Sequence, residues 1–107
     1  MKVMDLQIRD TDPHDSDVLD VKDILRLNVL LQRITVYWDN NLDKSVTLQV
    51  KGSPNNTKFF NIGDAKTVAI TEEDYDVINE THFYIKITAQ CAQVPTSGAL
   101  KLWIEVS

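Results

Sequence analysis

Residues 83–106 have the sequence FYIKITAQCAQVPTSGALKLWIEV, in which two alternating runs flank the turn residues Pro95 to Gly98. A period of two in hydrophobicity is typical of strands that are covered on one face. The inward positions are Phe83, Ile85, Ile87, Ala89 and Cys91 in the first run and Leu100, Leu102, Ile104 and Val106 in the second. The pattern predicts a β-hairpin. Other strands must cover its apolar face, because an isolated hairpin is only marginally stable in water.

A second pair of alternating runs lies near the middle of the chain. Residues 33–38 alternate with Ile34, Val36 and Trp38 on one side, and residues 45–51 alternate with apolar residues at 46, 48 and 50. Between them, Asp39-Asn40-Asn41 favours a turn, because these side chains hydrogen-bond to their own main chain. The sequence therefore predicts a second hairpin.

The remaining elements are short. Val3 to Ile8 alternates weakly and predicts an edge strand. Val18 to Leu25 fits either a helical turn capped by Asp17 or Asp20 or a short strand. Thr71-Glu72-Glu73-Asp74 has the form of a capping box and predicts one turn of helix through Ile78.

Short strands separated by turn signals, with no long helix between them, define the predicted fold class. It is all-β: an antiparallel β-sandwich or jelly roll of about six to eight short strands with one short helical turn. The length of 107 residues suits one domain, residues 1–107. Within it, residues 1–23 are predicted to form an amino-terminal arm and an acidic loop. The separate pattern of Val3 to Ile8 suggests the hypothesis that this arm adds a strand to the sheet edge of a neighbouring subunit.

Composition limits the partners. The formal net charge of -5 disfavours nucleic acid and anionic membrane surfaces, because both would repel the chain. No segment approaches the roughly 20 apolar residues that span a bilayer. The start, Met1 to Asp5, lacks the apolar run of a signal peptide, which predicts synthesis in the cytoplasm.

The residues that usually carry catalysis are scarce. His14 and His82 have no second histidine at zinc-ligand spacing, and there is no glycine-rich phosphate loop. Cys91 is a single cysteine at an inward strand position, which indicates a core residue. The sequence therefore predicts a protein that is not an enzyme and needs no cofactor.

Carboxylates in the first third of the chain raise the question of a Ca²⁺ site. The candidate ligands are Asp10, Asp12, Asp15 and Asp17. Their order departs from the EF-hand loop, which requires a turn glycine and a closing glutamate. A solvated acidic loop is the preferred interpretation, with Ca²⁺ binding as the alternative.

Aromatic residues at outward strand positions are the candidate contact surface. Tyr37, Tyr84 and Trp103 occupy the polar sides of their strands, with Lys101 beside Trp103. If the strands are neighbours, the rings form one exposed patch. Such a patch suits either the packing of another protein subunit or stacking on the rings of a glycan. The plain alternative is that one or two rings lie under a loop or under the amino-terminal segment.

Three segments carry a resemblance: residues 37–43 (YWDNNLD), 46–53 (VTLQVKGS) and 92–100 (AQVPTSGAL). From Arg33 onward the chain resembles small β-sandwich structural proteins of tailed phages and related viruses. It is also similar to uncharacterised β-sandwich domains of bacteria and archaea. The resemblance implies a capsid decoration protein or other virion subunit, which packs against copies of itself or other virion proteins and holds no cofactor. Two other classes stay open: a carbohydrate-binding or adhesion module, and a regulatory subunit that masks a partner.

Overall fold

The computed structural model describes residues 1–27 and 30–107. In this part of the chain one short helix, α1 (Lys22–Leu27), accompanies ten strands. The strands are β1 (Lys2–Leu6), β2 (His14–Asp15), β3 (Leu19–Asp20), β4 (Ile34–Asn40), β5 (Val46–Ser53), β6 (Phe60–Asn61), β7 (Lys66–Val68), β8 (Glu73–Ile78), β9 (Tyr84–Gln90) and β10 (Leu100–Val106). No helix among these residues is long and apolar enough to cross a membrane.

The strands form two antiparallel sheets. The four-stranded sheet has the order β1-β10-β4-β8. In the six-stranded sheet β9 and β5 are central; β2 and β3 pair with the free side of β9, and β6 and β7 with that of β5. The predicted all-β sandwich is confirmed, and strands of two or three residues account for the larger number of elements.

The core lies between the two sheets and is built by the alternating positions of the long strands. Ile34, Leu102 and Ile104 from the four-stranded sheet are fully buried, as are Ile85 and Ile87 from the six-stranded sheet. Each such side chain contributes about 1.5–3 kcal/mol through its removal from water. The predicted inward faces of β4, β5, β9 and β10 are therefore correct.

The two predicted hairpins are wrong, although their strands are right. β9 pairs with β5 rather than β10, and β10 pairs with β4 and β1. In the same way, β4 and β5 belong to opposite sheets. Each connection leads the chain from one sheet to the other, so both strands point their apolar side chains into the same core without sharing hydrogen bonds.

These two crossing connections, residues 41–45 and 91–99, contact each other. The amide of Asn41 donates to the carbonyl of Ala99 at 2.9 Å, and the amide of Thr96 donates to Asp43 Oδ1 at 2.9 Å. At Gly98, with φ of 84°, an added Cβ would lie 1.7 Å from the carbonyl oxygen of Asn41. The close approach of the two connections therefore requires glycine at this position.

The predicted helical turn after Thr71 is also wrong, because Glu73–Ile78 is strand β8. Its residues pair with β4 from Ile34↔Ile78 to Asp39↔Glu73. The capping-box signal is local, whereas pairing along the whole of β4 is a tertiary interaction that overrides it. The helix lies instead at α1, where Asp20 Oδ1 accepts a hydrogen bond from the amide of Lys22 at 3.1 Å.

The amino-terminal segment belongs to the sandwich. β1 is the predicted edge strand, and it pairs with β10 of the same chain and buries Val3 and Met4. The amide of Asp17 donates to the carbonyl of Val3 at 2.8 Å, so the acidic segment contacts the outer side of β1 at this residue. Exchange of this strand between subunits stays a prediction.

Candidate interaction surface

Three aromatic residues form a row across the outer face of the four-stranded sheet. Trp103 on β10 is the direct cross-strand partner of Tyr37 on β4, and Tyr37 is the partner of Tyr75 on β8. The rings of Tyr37 and Tyr75 have centroids 5.8 Å apart at an interplanar angle of 38°. We call Trp103, Tyr37 and Tyr75 the aromatic row.

At its Trp103 end, the aromatic row is adjacent to the ammonium group of Lys2. Lys2, the β1 residue opposite Trp103, places its Nζ 5.8 Å from the centroid of that ring. A lysine at this distance is attracted to the face of the indole. The ammonium also pairs with Asp5 Oδ2 at 3.1 Å.

A parallel row of charges follows the aromatic row along the strands. Lys101 on β10 lies opposite Asp39 on β4, and Asp39 lies opposite Glu73 on β8. The outer face is therefore apolar along its centre and charged beside it. This arrangement resembles the apolar core and polar rim of a protein interface.

The aromatic row lines a shallow open depression of about 760 Å³. Its other walls include Glu73, Asp74 and Glu105, and the side chains of Glu73 and Glu105 share the outer face with the rings. Glu105 also pairs with the amino-terminal nitrogen of Met1 at 2.7 Å. The depression thus combines flat rings with hydrogen-bond acceptors, a combination that suits a polar ligand with an apolar face as well as a protein surface.

Of the four residues that the sequence selected for this surface, the structure brings three together. Tyr37, Trp103 and Lys101 share the outer face of the four-stranded sheet. Tyr84 belongs to β9 in the other sheet, where Lys22 Nζ donates to its hydroxyl at 3.3 Å and lies over its ring. Tyr84 is therefore partly covered by the start of α1.

Tyr75 is not among the residues predicted for this surface, because the sequence of residues 71–78 matches a capping box and predicts a helical turn there. The alternation of Tyr75 and Val77 with Asp76 and Ile78 was the available signal for a strand. It was obscured because Asp76 takes an inward position at the sheet edge, where Lys66 Nζ lies 3.4 Å from its Oδ2.

The acidic segment makes local pairs. Asp10 Oδ1 lies 2.7 Å from His14 Nε2, and this hydrogen bond lowers the pKa of the Asp10 carboxyl. Asp15 pairs with Lys86 at 2.8 Å and accepts from Thr88 at 2.7 Å. Burial raises the pKa of Asp15, but hydrogen bonds from Lys86 and Thr88, together with nearby lysine charges, outweigh it and lower the pKa.

These pairs bear on the candidate Ca²⁺ ligands. Asp10 and Asp15 engage different partners, while Asp12 and Asp17 are exposed. Within residues 1–27 and 30–107, no group of three or more histidine, cysteine or acidic side chains is placed to hold a metal ion.

The other candidate reactive side chains lie apart. Cys91 is buried, and burial raises the pKa of its thiol. His82 Nε2 lies 3.1 Å from Glu80 Oε1, and an added Cβ on Gly52 would be 2.6 Å from the His82 ring. The imidazole therefore packs directly on a strand glycine.

The fold defines the class of the chain as a two-sheet antiparallel β-sandwich. No family model matches the sequence, and no curated protein matches it significantly. Among solved structures, the crystal structure of the PBSX exported protein XepA superposes on 100% of this chain with a TM-score of 0.74 at 17% sequence identity. The superposed region is 36% of the length of XepA, and in that region the two proteins are similar in fold.

Proposed function

We propose that the chain is a non-enzymatic structural subunit of a phage virion, such as a capsid decoration protein. It assembles with copies of itself and with other virion proteins through the outer face of its four-stranded sheet. The aromatic row is the observation that carries this proposal. The role needs neither a cofactor nor nucleic acid nor a membrane.

Exposure of the aromatic row supports an assembly role. Tyr37 and Tyr75 are 41% and 59% exposed, whereas Trp103 is half-buried, with Lys2 over its ring. Tyrosine and tryptophan supply most of the binding energy at many protein interfaces, because their large rings lose little conformational entropy on burial. Three such rings on rigid paired strands form a preorganised contact surface.

The structural neighbour supports the phage association. PBSX is a phage-related prophage, and XepA shares the fold over the whole of this chain. The resemblance of residues 33–107 to β-sandwich proteins of tailed phages independently supports a phage origin. A virion location for this chain is part of the proposal.

Solution mass as a function of concentration tests the assembly. We expect light scattering to show oligomers that dissociate on dilution, and Tyr75→Ser to weaken the association at least about 10-fold. Phe60→Ser is the matched control, because Phe60 is also 59% exposed but lies on the six-stranded sheet. A monomer at all concentrations, or equal effects of the two variants, would contradict the proposal.

A glycan-binding module is the second candidate, favoured by the depression in which Glu73 and Glu105 stand beside the aromatic row. Rings stack on the apolar face of a sugar while carboxylates accept hydrogen bonds from its hydroxyls. A glycan array followed by calorimetry separates the candidates. Sugar binding that is lost in Trp103→Ala would favour this alternative over the assembly role.

A further inference from the structure

The edge strands of the two sheets differ in how well they are covered. The outer side of β1 receives a hydrogen bond from Asp17, and the outer strands of the six-stranded sheet are two or three residues long. β8 has six residues, and no described strand pairs with its outer side. Within the described part of the chain, β8 is therefore the longest uncovered edge.

The direction of the β8 main-chain groups follows from one hydrogen bond. The amide of Asn40 donates to the carbonyl of Glu72 at 2.9 Å. In antiparallel sheets hydrogen-bonded pairs alternate with unbonded ones, so the even-numbered residues of β8 bond to β4. Glu73, Tyr75 and Val77 consequently direct their amides and carbonyls away from the sheet.

The main-chain amide at the centre of this edge already has a side-chain partner. The amide of Tyr75 donates to Asp74 Oδ1 at 2.8 Å. This hydrogen bond is local and exposed, so an added strand can replace it. Until then it satisfies an amide that would otherwise be free to pair with another chain.

Charge defines which strand fits the edge. Glu73, Asp74 and Asp76 make β8 acidic, and Lys66 pairs with Asp76 alone. A second copy of β8, paired antiparallel about Tyr75, would place Asp74 opposite Asp76, and like charges directly opposite are destabilising. A cationic strand has no such conflict.

We propose that β8 binds an extended basic segment of another protein as an added antiparallel strand. Lysine or arginine of that segment lies opposite Asp74 and Asp76, and the apolar residue between them lies beside Tyr75 on the outer face. When the cation pairs with the Asp74 carboxylate, the hydrogen bond between that carboxylate and the Tyr75 amide breaks. The Tyr75 amide then donates to a main-chain carbonyl of the added strand. This proposal goes beyond the assembly role, because it uses the edge of the sheet and not its face.

A peptide of eight residues that alternates lysine and valine, with acetylated and amidated ends, is the probe. We expect calorimetry to detect binding, and hydrogen exchange at Glu73, Tyr75 and Val77 to slow at least about 10-fold when the peptide is added. Absence of binding, or binding without protection of these amides, overturns the proposal.

Backbone methylation of the same peptide tests the strand geometry. In the proposed pairing the valine amides face β8 and the lysine amides face solvent. N-methylation of the valines should abolish binding, whereas N-methylation of the lysines should leave it within about threefold. Equal binding of the two methylated peptides would mean attraction by charge alone and would overturn strand addition.

Variants of the chain test the role of charge. Asp74→Lys should weaken binding of the lysine peptide at least about 10-fold. Asp12→Lys changes the net charge equally on an exposed loop before β2 and should have little effect. Equal losses in both variants would overturn the proposal. Protection of the Glu73, Tyr75 and Val77 amides that rises with protein concentration alone, and that persists in Tyr75→Ser where association through the outer face is weakened, would also overturn it, because a second copy would then be the occupant of the edge.

Discussion

Single buried polar residues fix the connections of the sandwich, and Asn40 is the clearest case. Its side chain is fully buried. Asn40 Nδ2 donates to the carbonyls of Lys44 and Ala69 at 3.2 and 3.1 Å, and its Oδ1 accepts from the amide of Leu42 at 3.1 Å. One asparagine thus satisfies main-chain groups of two separate segments.

Replacement of this side chain leaves those main-chain groups without partners. We expect Asn40→Ala to lower the free energy of unfolding by about 1–3 kcal/mol in urea denaturation. Asn41→Ala is the matched control, because the Asn41 side chain is exposed and its hydrogen bond within residues 1–27 and 30–107 goes to Asp39 Oδ1. A loss in the control as large as that of Asn40→Ala would contradict this account.

The contact between Asp43 and Thr96 predicts a pH dependence. Hydrogen bonds from the Thr96 hydroxyl and amide lower the pKa of the Asp43 carboxyl below its ordinary value of 3.8. A carboxyl whose folded-state pKa is depressed stabilises the fold above its unfolded pKa and loses that contribution as pH falls through the folded value. The stability difference between the wild type and Asp43→Asn should therefore narrow below about pH 4.

Urea unfolding at a series of pH values measures this effect. Asp12→Asn, on the exposed loop before β2, is the control variant. The prediction fails if the difference between wild type and Asp43→Asn is constant down to the acid transition.

The buried position of Cys91 predicts an unreactive thiol. Its side chain is 1% exposed, and burial together with the charge of Asp10 raises its pKa. Since the thiolate is the reacting form, a disulfide reagent should label the native protein at least about 100-fold more slowly than the urea-unfolded chain. Rapid native labelling would show that the segment after β9 is open.

Among the structural elements, the two crossing connections determine the topology. Gly98→Ala combines a positive φ with a Cβ that meets the carbonyl oxygen of Asn41. We expect it to cost about 3 kcal/mol or more in the free energy of unfolding.

Gly63→Ala is the control for backbone conformation. Gly63 has φ of 70°, but an added Cβ would only contact a side-chain methyl of Ile78 at 3.3 Å. Its cost should stay near the 1–2 kcal/mol of the left-handed conformation. Comparable losses in both variants would contradict a close approach of the connections.

The same elements explain which parts of the fold the sequence could predict. Alternation identified β4, β5, β9 and β10 and their inward faces, because burial on one face imposes a period of two. It did not identify their partners, because a strand has the same pattern whether the next strand lies beside it or in the opposite sheet. Connections of five to nine residues allow both arrangements.

For the candidate surface as well, the sequence predicted which side chains point outward but not which of them are neighbours. The outward positions of Tyr37 and Trp103 follow from alternation within their own strands, but their proximity depends on the pairing of β10 with β4. Tyr75 joined the row only because β8 pairs with β4. Tyr84 is separated from it because β9 belongs to the other sheet.

For the molecule as a whole, the proposed function depends on one face of the four-stranded sheet. Hydroxyl-radical footprinting at low and high protein concentration measures the accessibility of each ring directly. We expect Tyr37, Tyr75 and Trp103 to become protected together as concentration rises, while Phe60 on the six-stranded sheet does not. Unchanged accessibility of the aromatic row, or protection centred on Phe60, would contradict it.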